Sequence, residues 1–260
     1  MDTSRPASAM SGTAHRTVAD WLASLTAGRI LAGERVVAAA RAAGAEAVAV
    51  IGSLADRRGD AFSDLDLLLV TGHGYRGVDP IWLFGSQILA QITAQPGAAP
   101  RGGAYTGVCL EVAGVVVWLD LVEWPMATAA LPADSLIAYA DVDLPYSQLG
   151  YRSLLDHHAD PATPIPAPSA ATELRRIADA AKHLTRGNQR AIGDQIPQAT
   201  GLPLNQIRPI LHQRLAAITQ PGTSRAIAAT AALVDLADMN RTSQPTHHTP
   251  MPPEDGKATR

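Results

Sequence analysis

Ile51-Gly52-Ser53, then ten residues, then Asp64-Leu65-Asp66-Leu67 is the stretch on which the reading of this chain turns. Alternate side chains of a β-strand share a face, so Asp64 and Asp66 emerge together. Leu65, Leu67, Leu68 and Leu69 anchor the same segment in a core. Two carboxylates that close cannot both stay ionised at neutral pH without a shared proton or bound cations. Hard oxygen ligands of this kind suit magnesium or manganese. Gly52-Ser53 stands where a β-rich run over 47–51 turns towards a short helix. Backbone amides and a serine hydroxyl there can hold a phosphate, and glycine lets the backbone come close.

A third acid lies further on. Val115-Val116-Val117-Trp118-Leu119-Asp120-Leu121-Val122 places one carboxylate inside a strongly apolar strand. An unpaired buried aspartate is costly, so Asp120 should face a cation or a partner. A strand neighbouring that of Asp64 and Asp66 would supply the cation. Glu123, three residues later, points to the opposite face.

Around these acids the pattern predicts helices over 17–26 and 33–43, the second ended by Gly44, and strands over 47–51 and 65–70. Pro80 opens a helix continuing to residue 93, and a Pro/Gly loop covers 96–103. Two β-runs over 104–112 and 115–124 are joined by Ala113-Gly114, a hairpin signal. A helix is expected over 146–158. Pro161, Pro164, Pro166 and Pro168 then mark a linker that cannot be helix interior. Helices are expected over 172–190, 204–219 and 223–240. The division is a flexible N-terminus at 1–16, a mixed α/β domain at 17–160, a linker at 161–169, a helical domain at 170–240 and a disordered tail at 241–260.

Composition narrows the function classes. The chain has 260 residues, 47% apolar and 17% charged, enough to bury a core and unlike a disordered chain or coiled coil. Cys109 is the only cysteine, which excludes an internal disulfide and paired-cysteine zinc sites. Residues 1–15 hold no apolar leader core, and apolar runs such as 47–51 and 115–119 are too short to cross a bilayer; a soluble cytoplasmic protein without membrane partners is expected. The net charge of −3 is unevenly spread: residues 1–169 carry 10 Lys/Arg against 17 Asp/Glu, and residues 170–225 carry 8 against 3. Acids in one half suit divalent cations and bases in the other suit phosphates.

Hydrophobic-Gly-Ser, about ten residues, Asp-hydrophobic-Asp-hydrophobic and a later strand aspartate together resemble the DNA polymerase β-like nucleotidyltransferases. Ser63-Asp64-Leu65-Asp66-Leu67 is most similar to the aminoglycoside and lincosamide adenylyltransferase branch. The motif-bearing part covers roughly 45–125, and the helical part is similar in layout only. The resemblance implies an α+β fold, with a polymerase β-like mixed sheet and flanking helices followed by a helical domain. It implies that Gly52 and Ser53 contact a nucleoside triphosphate, ATP by expectation. Asp64 and Asp66 would bind two magnesium ions, with manganese an alternative, and Asp120 would bind the ion that activates the acceptor oxygen. Two ions about 3.5–4 Å apart clamp the attacking and leaving oxygens of an in-line displacement. The separate glutamate base of some relatives has no clear counterpart: Asp79 and Glu111 are the only acids between the metal pair and Asp120, and neither is assigned that role.

In the helical part, Leu174, Ile177, Ala181 and Leu184 form a buried stripe. Arg175, Asp179, Lys182 and Arg186 fall on another face, within about 60° of one another. That face could meet the triphosphate, with Lys182 the first choice as nucleotide ligand and Arg186 the second. Arg57, Arg58 and His73 read as loop or turn residues. His157-His158 and His247-His248 lack a spaced third metal ligand. Trp82, Trp118 and Trp124 read as packing residues. The expected activity is transfer of a nucleoside monophosphate to a hydroxyl of a small molecule, aminoglycoside-like or lincosamide-like. A protein or tRNA acceptor is the alternative, and the net negative charge argues against a nucleic-acid partner. A non-catalytic nucleotide-binding protein ranks last because all three acids are present. Oligomeric state is not encoded in any motif.

Overall fold

A computed structural model describes residues 17–93, 95, 97–159 and 169–243. The expected flexible N-terminus, most of the proline-rich linker, and the tail from 244 onward, including His247-His248, lie outside the described residues.

Helix α1 (Val18–Ala42) opens on a reciprocal cap: Thr17 Oγ1 accepts the Asp20 amide at 3.2 Å, and Asp20 Oδ2 accepts the Thr17 amide at 2.9 Å. It runs unbroken where two helices were expected. The one glycine between them, Gly28, serves packing rather than termination. A Cβ on Gly28 would stand 2.2 Å from Val112 Cγ1, so only glycine lets the helix lie this close to the sheet.

Next come β1 (Ala45–Ile51), the single turn α2 (Gly52–Ala55) and β2 (Leu65–Thr71). Helix α3 (Pro80–Phe84), capped by Asp79, is far shorter than expected. Gly85, at φ 50°, ends it, and Ile88–Ile92 becomes edge strand β3. A short apolar run fits either element, and here an open sheet edge supplied the backbone partners. Strands β4 (Ala104–Val112) and β5 (Val115–Pro125) form the expected hairpin, with Ala113 and Gly114 both at positive φ, as a two-residue turn of this hand requires.

Strand β6 (Leu136–Ala140) was not foreseen; it covers the other edge by pairing with β1. Helix α4 (Tyr151–His158) begins later than expected, where Asp134 Oδ1 accepts the Tyr151 amide at 2.7 Å. The long helix expected over 172–190 is two: α5 (Ala170–Thr185) ends at Gly187 in left-handed backbone, and Asn188 caps α6 (Gln189–Gln195). Helices α7 (Ile207–Ala216) and α8 (Ser224–Ser243) complete the described chain.

The protein is α+β. Its six-stranded mixed sheet has the order β3-β4-β5-β2-β1-β6, and β2 and β5 form the one parallel pair within it. One face packs on the later part of α1 (Ala32, Val36, Ala40) and on Phe84 of α3. The other packs on α5 and α8 through Trp118, Val122 and Trp124 against Leu174, Ile177, Leu233 and Val234. No described helix is long and apolar enough to cross a membrane.

Candidate functional site

The parallel pairing of β2 with β5 sets Asp66 directly beside Asp120. In-register neighbours of adjacent strands point the same way, so both face the layer of α5 and α8. Asp64 lies two residues before Asp66, at the entrance to β2, and joins them on that face. Ile51 pairs with Asp66 from the other side, which puts Gly52 against the Asp66 carboxylate. Gly52 has φ 70°, and a Cβ there would stand 2.4 Å from Asp66 Oδ2. Glycine is therefore required at this position on two counts.

Helix α5 lays its charged face over these acids. Arg175 forks onto Asp120, donating Nη1 to Oδ1 at 3.0 Å and Nη2 to Oδ2 at 2.9 Å; Nη2 also donates to Asp64 Oδ2 at 2.8 Å. Its guanidinium lies over the Trp118 ring, 4.9 Å from the centroid. Lys182 donates Nζ to Asp64 Oδ2 at 2.5 Å and to Asp179 Oδ1 at 2.8 Å. Asp179 also accepts Arg175 Nε at 3.2 Å, tying the two basic residues together. The Tyr105 hydroxyl donates to Asp120 Oδ1 at 2.9 Å.

Four carboxylates thus meet two cationic side chains in a buried setting. Burial drives the Asp66 carboxyl well above the usual carboxylate range, and the neighbouring Asp120 and Asp64 charges push it further. Asp64 is also raised by burial, against the opposing pull of Arg175 and Lys182. Burial acts to raise Asp179 too, but Lys182 and Arg175 outweigh it and hold that carboxyl at about 2. Burial alone would lower the Lys182 ammonium, yet Asp179 and Asp64 raise it above its ordinary value. Lys182 is therefore a fixed positive charge, and Asp66 is the acid left without a cation.

The structure brings together Asp64, Asp66, Asp120, Gly52 and Lys182. Ser53 sits in α2, next to Gly52. Arg186 goes elsewhere: it forks onto Asp60, Nε to Oδ2 at 2.9 Å and Nη2 to Oδ1 at 3.0 Å, and reaches Ser63 Oγ at 3.2 Å. Expected as a nucleotide contact, Arg186 here clasps the loop leading into Asp64, because α5 ends there and Arg186 hangs beyond its last turn. Glu111 pairs with Arg225 of α8, and Asp79 is spent on capping α3, so neither serves the cluster. Glu123 lies on the opposite face and accepts the Tyr75 hydroxyl at 3.1 Å. Trp118 and Trp124 are core residues, whereas Trp82 is 81% exposed and packs in no core.

Sequence reasoning placed Arg175 on the charged face but passed over it for Lys182. Its i, i+7 spacing from Lys182 was the available signal. Arg29 left no such signal. Buried in α1, it donates Nη1 to the carbonyls of Asp60, Ala61 and Ser63 at 3.1, 3.3 and 2.7 Å, and so fixes the approach to Asp64.

The donor set is oxygen-only and in excess of its cations, the chemistry that suits a hard divalent ion. Among the described residues no trio of acidic, histidine or cysteine side chains is arranged as a metal cage. The oxygens of Asp64 and Asp120 are turned instead onto Arg175 and Lys182. Asp66, its carboxyl raised well above the usual range by burial and by the neighbouring Asp120 and Asp64 charges, is the donor such an ion would relieve. No protein-family model matches the chain, and no curated protein matches it.

Proposed function

We propose that this chain is a divalent-cation-dependent nucleotidyltransferase of the polymerase β-like kind. It would transfer a nucleoside monophosphate, AMP from ATP, to a hydroxyl of a small molecule of the aminoglycoside or lincosamide type. One observation carries the reading: Asp64, Asp66 and Asp120, from two separate stretches of chain, lie together on one face of a parallel strand pair beneath a basic helix.

On this reading Asp64, Asp66 and Asp120 hold magnesium or manganese, which when bound would polarise the phosphoryl oxygens and lower the pKa of the acceptor hydroxyl. The protein's own residues supply position and charge. Lys182, kept protonated by Asp179 and Asp64, places one positive charge beside the reacting phosphate. Gly52, whose backbone abuts the Asp66 carboxylate, and Ser53 next to it would offer backbone and hydroxyl donors to the phosphates. Tyr105 holds Asp120 in a fixed orientation through its 2.9 Å hydrogen bond. Among the described residues no further acid joins the cluster as a separate general base, so on this reading acceptor deprotonation falls to the Asp120 side of it.

The test is incubation with labelled ATP, magnesium and a panel of hydroxyl-bearing antibiotics, reading pyrophosphate release and labelled product. Asp66→Asn and Asp120→Asn should each lower the rate by 100-fold or more, on the order of what a transition-state charge contact contributes. Release that survives both substitutions would assign the signal to another protein and sink the proposal. A non-catalytic reading draws on the ion pairs of Arg175 and Lys182 with Asp64 and Asp120, since a paired buried network can be structural alone. It predicts no cation binding at the cluster.

A further inference from the structure

Asp120 has most of its acceptor positions taken. A carboxylate offers about four. Arg175 takes two and the Tyr105 hydroxyl takes a third. Asp66 lies directly alongside on the neighbouring parallel strand. Asp64 Oδ2 is likewise engaged twice, by Arg175 and Lys182. A cation cannot reach both Asp64 and Asp120 while the Arg175 guanidinium stands between them.

Of the two basic residues, Lys182 is the more deeply buried one. Its side chain is 8% exposed and is held by two carboxylates on different elements. Arg175 is the more exposed one. Its side chain is 17% exposed and reaches across from α5 with its head group over the Trp118 ring, whose face attracts the guanidinium wherever it lies above it. The planar fork that fits the Asp120 carboxylate fits two phosphate oxygens equally well.

We infer that Arg175 gates the site: it fills the cation position at Asp64 and Asp120 until a triphosphate draws its guanidinium away, so that nucleotide and divalent cation bind with positive coupling. This rests on the nucleotidyltransferase reading and adds a residue and an order of events to it. The incoming phosphates take the fork that held Asp120, and Asp120 takes the ion. Because coupling free energy is reciprocal, a bound ion must also favour the nucleotide. The device keeps the acids neutralised between turnovers without an ion.

The experiment uses the full chain and manganese alone, with free Mn2+ read by electron paramagnetic resonance in the absence of nucleotide. Arg175→Gln should bind Mn2+ at least about tenfold more tightly than the unaltered protein, within the usual range of site-to-site coupling. Adding Asp120→Asn to that variant should abolish the gain. In EDTA, Arg175→Gln should bind α,β-methylene-ATP about tenfold more weakly, since the phosphates lose their fork. Should Arg175→Gln fail to fold, Arg175→Lys keeps a charge without the fork and must move both affinities in the same directions by less. Equal Mn2+ affinity in the unaltered protein and the variants, with transfer activity intact and dependent on Asp120, overturns the gate alone. Absence of Mn2+ binding in every protein, together with absence of transfer, overturns the nucleotidyltransferase reading and the gate with it.

Discussion

Asp66 concentrates the chemistry of this protein in one carboxyl. In the folded chain it keeps its proton over a pH range in which the unfolded chain has lost it. For an acid whose folded pKa is raised, stability is greatest below the unfolded value and falls as pH climbs from about 4 towards the folded value. Thermal denaturation in EDTA should therefore show stability declining towards pH 8. Asp66→Asn should flatten that decline and raise the melting temperature at pH 8 and, on the proposed function, remove nucleotidyl transfer. A melting temperature lowered at pH 8 by this substitution would contradict the placement of a strained carboxyl. Asp179 behaves oppositely: held at about 2 by Lys182 and Arg175, it contributes stability that is lost as pH falls from about 4 through 2. The residue scale was only half legible. Asp64, Asp66 and Asp120 could be named from their spacing, because alternation along a strand is local geometry. That Arg175 would fork onto Asp120 could not, because a pair 55 residues apart is decided by packing.

Among the elements, α5 matters most to the site, since it carries Arg175, Asp179 and Lys182 on one side and the core residues Leu174, Ile177, Ala181 and Leu184 on the other. Ser169 Oγ caps it by accepting the Thr172 amide at 3.1 Å. Ile177→Ala should cost about 2–5 kcal/mol in urea denaturation, as a fully buried aliphatic truncation does. Ser169→Ala should cost about 1 kcal/mol, the usual value of an N-cap. If both were neutral, α5 would not be docked on the sheet as described. The helical period of α5 was readable, as were β2, β4, β5 and the Ala113-Gly114 turn. Strands β3 and β6 were not, because both are edge strands with mixed exposure and no strict alternation. The gap expected between residues 26 and 33 is instead continuous helix, in which Gly28 packs against Val112 across a tertiary contact.

For the whole molecule, the sheet order brings the acid-rich first part of the chain under the base-rich second part. A ligand engaging the folded site alone should stabilise by about 2.7 kcal/mol when present at 100 times its dissociation constant. Scanning calorimetry with magnesium and α,β-methylene-ATP together should therefore raise the melting temperature by several degrees, roughly 2–4 °C per kcal/mol for a chain of this size. Chelating the ion should reverse the shift, and Asp120→Asn should be blind to it. An equal shift in Asp120→Asn would place ligand binding away from the cluster.

The amino-acid order alone determined which acids could act together: Asp64 and Asp66 through the two-residue repeat of a strand, and Asp120 through the cost of burying a lone charge in an apolar run. It also determined the basic face of α5, through the helical period. Both are local consequences of backbone geometry. Only the tertiary structure decided that Asp66 and Asp120 are parallel-strand neighbours, that Arg186 closes the loop at Asp60 instead of joining the acids, and that Arg175 stands between Asp64 and Asp120. Those outcomes depend on which surfaces bury one another, a competition among distant segments that no spacing along the chain records.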